Sequence, residues 1–173
     1  KDGVKDKSRR PITFAYNGGP GSSSMLLHIG ALGPRIVLLD DEGVPPPGPY
    51  RLVDNEYSIL DVSDVVMVDP VSTGYSRAVE GVNPKEFHGY KEDIEYLGEI
   101  IQLYIARNER WASPKFVIGE SYGVPRAVGL AEFLQRDTQS MYLKGLILVS
   151  ITTAGLNPYT RSFQPGNDLA FIL

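Results

Sequence analysis

The composition of this chain is that of a folded globular protein: of its 173 residues, 42% are hydrophobic and 22% charged, which excludes an intrinsically disordered segment. The net charge of -4, with no basic cluster beyond residues 7–10, argues against a nucleic-acid partner, and no apolar segment is long enough to span a membrane. The chain has no cysteine and no clustered metal ligands, so we expect neither a disulfide framework nor a metal or other cofactor.

Strands and helices alternate along the chain, as a parallel α/β sheet requires. Residues 1–3 are interpreted as the tail of an edge hairpin. Short apolar runs then predict strands at residues 12–16, 36–39, 65–68, 116–118 and 143–149. The run at 65–68 is apolar throughout, which is typical of a central strand covered on both faces.

Apolar residues at helical spacing predict two helices, one over about 90–107 and another after residue 123. The first stripe consists of Ile94, Leu97, Ile101, Tyr104 and Ile105. The second consists of Ala127, Leu130, Ala131 and Leu134. Residues 40–50 are rich in proline, which favours a surface connection over a polyproline stretch that binds a partner.

The segment Gly119-Glu120-Ser121-Tyr122-Gly123 joins the strand at 116–118 to the second helix. A sharp strand-to-helix turn needs residues without bulk on either side of its central residue, and the two glycines meet that need. Ser121 would then project above the carboxyl end of the sheet, where N–H groups at the start of a helix face developing negative charge. We therefore predict that Ser121 is a nucleophile; the alternative is a structural turn rich in glycine.

A second glycine-rich loop, Asn17-Gly18-Gly19-Pro20-Gly21-Ser22-Ser23-Ser24, follows the first predicted strand. Serine hydrolases of the α/β kind take a backbone N–H from such an early loop to complete an oxyanion hole. The adjacent Gly18 and Gly19 let the backbone approach a substrate oxygen closely. The alternative is a phosphate-binding loop, but the Lys-Ser/Thr ending of a P-loop and the spacing of a dinucleotide fingerprint are both missing.

Three motifs in this order resemble the signature blocks of the serine carboxypeptidases, a branch of the α/β-hydrolase fold. They are residues 17–24, the segment Val68-Asp69-Pro70-Val71-Ser72-Thr73-Gly74-Tyr75-Ser76, and residues 119–123. The resemblance implies a mostly parallel sheet flanked by helices and a peptide substrate with a free C-terminus, whose last residue is removed through an acyl-enzyme. Without cysteine, the chain resembles the cysteine-free bacterial branch, and a secreted or periplasmic location is implied.

The resemblance also implies which groups perform the chemistry. Ser121 resembles the nucleophile, and the backbone N–H groups of Gly19 and Tyr122 resemble the oxyanion hole.

A second set resembles the group that binds the terminal carboxylate of the substrate: Asn17, Glu120 and the Gly18 N–H. Because Glu120 and this carboxylate carry like charges, one of them should hold a proton, and we expect binding to weaken as Glu120 ionises at higher pH. The alternative role of Glu120 is an ion pair near a turn.

The chain departs from the family pattern at several positions. Ala15 stands where many members carry Trp, Ser22 replaces a common cysteine, and Ser72 replaces a glycine. Glycine adopts backbone conformations that are costly for serine. The loop around Ser72 can therefore differ in conformation from the family's loop. Val124-Pro125 replaces the small or Gly-rich pair that usually follows the elbow, and Pro125 is acceptable in a first helical turn.

The chain contains only two histidines, and both precede Ser121. In α/β hydrolases the nucleophile is followed by an Asp and then by the His that takes its proton. We expect packing or polar support of a loop from His28, a solvated position for His88, and a loop-bracing role for Asp69. We therefore interpret residues 1–173 as the N-terminal part of one catalytic domain. It is incomplete on its C-terminal side, ends near the start of a cap insertion, and should be inactive alone.

Two other functions stay open from the sequence. An acyltransferase or esterase on the same scaffold would keep Ser121 and the oxyanion hole. A non-catalytic binding module would have lost the base and the acid. The pair Asn17 and Glu120 favours peptides as the substrate.

Overall fold

The computed structural model describes residues 6–136 and 140–150. Its strands are, in chain order, β1 (Ile12–Tyr16), β2 (Arg35–Val37), β3 (Leu52–Asp54), β4 (Asp64–Met67), β5 (Lys115–Glu120) and β6 (Gly145–Val149). The helices are α1 (Met25–Leu27), α2 (Tyr90–Arg107) and α3 (Gly123–Gln135). The predicted hairpin tail at 1–3 and the predicted cap insertion after residue 150 lie outside the described residues.

The main sheet has four strands in the order β4-β1-β5-β6, and all neighbours are parallel. In its register, Phe14 of β1 lies between Val66 of β4 and Val117 of β5. Because the strands are parallel, their carboxyl ends lie at the same end of the sheet. The loops after β1, β4 and β5 therefore gather there. The predicted α/β sheet flanked by helices is confirmed.

Strand β1 is buried along its whole length because both faces of the sheet are covered. Ile12, Phe14 and Tyr16 pack on one face against α2 and α3, whereas Ala15 packs on the other face against Leu27 of α1. This alternation follows from the two-residue period of a strand. Burying a side chain such as Ile12 stabilises the fold by roughly 1.5–3 kcal/mol relative to leaving it exposed.

Helix α2 has the bounds that its apolar stripe predicts, and four residues of the stripe are buried: Ile94, Leu97, Ile101 and Ile105. Tyr104 is the fifth, and its ring meets Phe14 edge-on, with the centroids 5.7 Å apart. Helix α3 packs closely on α2, since a Cβ on Gly98 would lie 2.3 Å from the ring of Phe133. These two helices therefore form one layer behind the sheet.

Two predicted strands are present but lie elsewhere in the sheets than expected. The strand predicted at 36–39 is β2, which pairs antiparallel with β3 in a separate two-stranded sheet, and β3 itself was not predicted. The strand predicted as central at 65–68 is β4, which lies at the edge of the described sheet with all its residues half-buried. An apolar run indicates that a strand is buried, but it does not tell which strands pair with it. The sequence therefore did not predict the separate sheet of β2 or the edge position of β4. β1 and β5 have strand partners on both sides.

Candidate active site

Ser121 lies in the turn between the end of β5 and the start of α3, and its backbone has φ +54°. This left-handed conformation is costly for a residue with a side chain, and it persists only where the surroundings impose it. The Ser121 N–H donates to Val149 O at 2.9 Å, and the Val124 N–H donates to Ser121 O at 3.0 Å. The turn is thus held from β6 and from α3, with the geometry that exposes a nucleophile.

Only glycine fits at positions 119 and 123, two residues before and two residues after Ser121. A Cβ on Gly119 would lie 1.9 Å from Gly123 O, and a Cβ on Gly123 would lie 2.7 Å from Tyr16 O. Both contacts are with backbone atoms, which cannot move aside as a flexible side chain does. The sequence prediction that these positions exclude bulk agrees with this geometry.

The loop after β1 lies directly against the turn. A Cβ on Gly18 would lie 2.5 Å from Ser121 Cβ and 2.7 Å from Tyr122 N. Gly19 follows with φ +63°, a conformation that favours glycine. Within the described residues, the N–H groups of Gly19 and Tyr122 donate no hydrogen bond. Two available donors on adjacent loops can serve a developing oxyanion.

Glu120 brings the two loops together on the other side of Ser121. Its Oε2 atom accepts hydrogen bonds from Asn17 Nδ2 and from the Gly18 N–H, each at 3.2 Å. Asn17 is buried and Glu120 is half-buried. The three groups that the resemblance assigns to carboxylate binding therefore form one cluster beside Ser121, and its two donors can be shared with an incoming carboxylate.

Asp69, from the loop after β4, braces the loop after β1. Its Oδ1 atom accepts from the Ser24 N–H at 2.7 Å and from Ser23 Oγ at 3.0 Å. Ser24 Oγ donates in turn to Val68 O. The expected loop-bracing role of Asp69 is thus confirmed, and two of the three sequence motifs are tied to each other through it.

Ser72 in the second motif has φ +73°, in the left-handed region that favours glycine. Its Oγ lies 3.1 Å from Nε2 of His88, which is exposed as expected. His28 is also exposed, and its ring packs against Gly33, where a Cβ would lie 2.5 Å from His28 Cδ2. Neither imidazole is hydrogen-bonded to Ser121 within the described part of the chain.

A cavity of about 320 Å³ opens beside Tyr122. Its lining includes apolar and aromatic residues from the three motifs, from the segment before α2 and from α2 itself, among them Pro20, Pro70, Val71, Phe87 and Tyr96. The lining also contains two buried charged residues that the sequence analysis did not single out, Asp93 and Arg126. The available signal was a charged residue at a core-facing position of a helical stripe: Asp93 precedes Ile94, and Arg126 precedes Ala127.

Three tyrosines, two in the cavity lining and one in β1, are held in their neutral form. Burial, with the nearby Asp93 carboxylate, raises the pKa of Tyr96 to about 12. Burial likewise raises the pKa of Tyr122, and it raises that of Tyr16, whose hydroxyl makes no hydrogen bond within the described residues. These tyrosines therefore stay protonated at neutral pH. Any change in activity with pH near neutrality must come from the titration of other groups.

Comparison with known proteins agrees with this arrangement. The chain shares its fold with the crystal structure of Kex1(delta)p, a prohormone-processing carboxypeptidase from Saccharomyces cerevisiae. The TM-score is 0.64 at 24% identity, over 86% of this chain and 32% of that one. The fold is thus that of an α/β hydrolase. The sequence model of the family described as serine carboxypeptidase matches residues 2–163, so the chain belongs to the serine carboxypeptidase family.

Fungal relatives show the same similarity. The chain is 33% identical to serine-type carboxypeptidase F of Aspergillus niger over 143 residues, which are 79% of this chain and 24% of that protein. It is 29% identical to carboxypeptidase Y homolog A of Aspergillus oryzae over 157 residues, 89% of this chain and 26% of that protein. The chain therefore spans about a quarter of the length of these relatives.

In the part of the chain that the structure describes, no helix is both long enough and apolar enough to cross a lipid bilayer. No group of His, Asp or Glu side chains there is arranged to hold a metal ion.

Proposed function

We propose that the full-length protein is a serine carboxypeptidase, which removes C-terminal residues from peptides through an acyl-enzyme on Ser121. The observation that carries the proposal is the cluster of Asn17, Gly18 and Glu120 directly beside Ser121. A carboxylate bound there places the last peptide bond of the substrate next to the nucleophile. Membership of the serine carboxypeptidase family supports the same activity.

The chemistry requires the following steps. Ser121 Oγ attacks the carbonyl carbon of the last peptide bond, and its proton passes to a general base. The carbonyl oxygen becomes negative and accepts hydrogen bonds from the N–H groups of Gly19 and Tyr122. The C–N bond then breaks as the base returns the proton to the leaving amine. Water, deprotonated by the same base, hydrolyses the acyl ester and regenerates Ser121.

We infer that the base, and with it the acid that orients it, is supplied by sequence beyond this chain. The order Ser, Asp, His that holds in α/β hydrolases puts both after Ser121. Residues 122–173 contain Asp137 and Asp168 but no histidine, and the chain spans about a quarter of the length of its fungal relatives. We therefore assign residues 1–173 to the N-terminal part of one catalytic domain that continues into a cap insertion.

Composition bears on the branch of the family, and resemblance to the family bears on the location. The chain has no cysteine, and Ser22 stands where eukaryotic members commonly carry one. We infer that the protein belongs to a cysteine-free branch of the family, as in bacteria, and acts in a secreted or periplasmic location. Its partner is a peptide with a free C-terminus. The acidic net charge argues against a nucleic-acid partner.

A fluorophosphonate probe tests the nucleophile. We expect the full-length protein to be labelled, and neither its Ser121→Ala variant nor the 173-residue chain alone to react. Labelling of the short chain at Ser121 would instead place a base within these residues, with His28 the first candidate. The absence of labelling in every form would favour a non-catalytic binding module.

A pair of matched peptides tests the reaction class. The full-length protein should release the last residue of a peptide with a free C-terminus and leave its C-terminally amidated counterpart intact. Hydrolysis of esters without release of any amino acid from the free peptide would favour an esterase or acyltransferase.

A further inference from the structure

A buried ion pair lies behind the turn that carries Ser121. Arg126, in α3, donates from Nε to Oδ2 of Asp93, in the first turn of α2, at 2.7 Å. The two residues are 1% and 5% exposed. Removing two charges from water costs several kcal/mol per ion, and an apolar pair of the same volume often stabilises a fold as well or better. Stability alone therefore does not account for this pair.

The guanidinium of Arg126 reaches both loops of the candidate active site. Its Nη1 donates to Asn17 O at 3.1 Å, and its carbon lies 5.2 Å from the ring centroid of Tyr122. Asn17 O and the Gly18 N–H belong to one peptide group, and that N–H donates to Glu120. The Asn17–Gly18 peptide is thus fixed from two opposite sides, by Arg126 and by Glu120.

Asp93 extends the same network to the loop after β4. Its Oδ1 atom accepts from the Tyr96 hydroxyl at 3.3 Å, and that hydroxyl accepts from the Val71 N–H at 3.1 Å. Asp93 therefore orients Arg126 and is itself held by Tyr96. Charge-assisted hydrogen bonds of this kind are strong and directional, so they fix geometry as well as distance.

We propose that Arg126, oriented by Asp93, is a positioning residue that sets the Asn17–Gly18 peptide, and with it the following Gly19 N–H, against Ser121. The proposal rests on the proposed function, since it takes Gly19 as an oxyanion donor. Arg126 acts through the backbone of the loop after β1 and touches no reacting atom. A donor displaced by a fraction of an ångström stabilises the oxyanion less, whereas substrate binding in the ground state changes little.

The test uses Arg126→Lys in the full-length protein. Lysine keeps a cation for Asp93, but its ammonium lacks the planar fork that also reaches Asn17 O. We expect kcat for an activated ester without a free carboxylate to fall about 10- to 100-fold per fluorophosphonate-titrated site, with KM within about threefold. Titration counts only folded, reactive protein, so a merely structural role would leave kcat per titrated site unchanged.

Arg110→Lys is the matched control. Arg110 is 7% exposed, pairs with Asp64 at 2.6 Å and donates to Arg10 O at 2.9 Å. It lies near the amino ends of β1 and β4, away from the motif loops, so its replacement should leave kcat per titrated site at the parent value. The double variant Asp93→Asn/Arg126→Gln removes both charges, so it leaves no unpaired buried charge. It replaces Arg126→Lys in the test if that variant does not fold.

The proposal is overturned if kcat per titrated site in either Arg126 variant stays within about twofold of the parent, or if Arg110→Lys lowers it equally. A parent protein that is neither labelled nor active would overturn the proposed function, which is a different result from an active parent with unaffected variants.

Discussion

Gly18 lies so close to Ser121 that a Cβ on Gly18 would be 2.5 Å from Ser121 Cβ, although the two residues come from separate loops. The loop after β1 and the turn after β5 meet here without a side chain between them. The same contact puts the Gly18 N–H within 3.2 Å of Glu120 Oε2. One glycine thereby adjoins both the candidate nucleophile and the candidate carboxylate site.

Gly18→Ala should lower kcat/KM for a free-carboxylate peptide by about 100-fold or more, because the methyl group separates the loops that carry the oxyanion donors. The measurement is steady-state kinetics of the full-length enzyme. Gly21→Ala is the control in the same loop, since its Cβ would meet nothing closer than 3.5 Å. Equal losses in the two variants would contradict the proposed contact.

Glu120→Ala should raise KM for a peptide with a free C-terminus by about tenfold or more, because Glu120 Oε2 holds Asn17 Nδ2 and the Gly18 N–H in one cluster beside Ser121, each at 3.2 Å. The measurement is steady-state kinetics of the full-length enzyme. An unchanged KM would contradict a role of this cluster in carboxylate binding.

Ser72→Gly should be more stable than Ser72→Ala by about 1 kcal/mol, because φ +73° strains alanine but not glycine. Both variants lose the hydroxyl that contacts His88, so their difference isolates the backbone conformation. Urea unfolding of the full-length protein measures the free energies. Equal stabilities would mean that the loop relaxes to negative φ when the hydroxyl is removed.

Asp64 should stabilise the fold most at neutral pH. Burial raises the pKa of this carboxyl, but hydrogen bonds from Arg10 and Arg110, at 2.7 and 2.6 Å, outweigh burial and hold it below its ordinary value. A carboxyl with a lowered folded-state pKa stabilises the native state above its unfolded-state pKa, and this contribution is lost as the pH falls through the folded-state value.

Asp64→Asn should therefore lower the free energy of unfolding by about 2 kcal/mol at neutral pH, and the loss should shrink below about pH 4. Urea unfolding at several pH values measures this. Asp54→Asn is the control, because its pair with Arg35 spans 3.6 Å and is exposed, so little change is expected at any pH. A loss in Asp64→Asn that is independent of pH would contradict the assignment.

Local pattern predicted most of the elements that build the site. The stripe of α2 and the apolar runs of β1 and β5 depend on burial alone, which the spacing of apolar residues records directly. β3 escaped prediction because its three residues, Leu52, Val53 and Asp54, are too short a run to show a period. Arg126 and Asp93 escaped because each is charged within an apolar face, and only the fold reveals that they pair.

The amino-acid sequence by itself determined the strand–turn–helix around Ser121, the flanking glycines and the order of the three motifs, because these depend on interactions between near neighbours in the chain. Tertiary structure decided which distant groups meet. Asn17 and Glu120 are 103 residues apart and come together only because β1 and β5 are adjacent in the sheet. Strand order is a property of the whole packed core, and no local spacing encodes it.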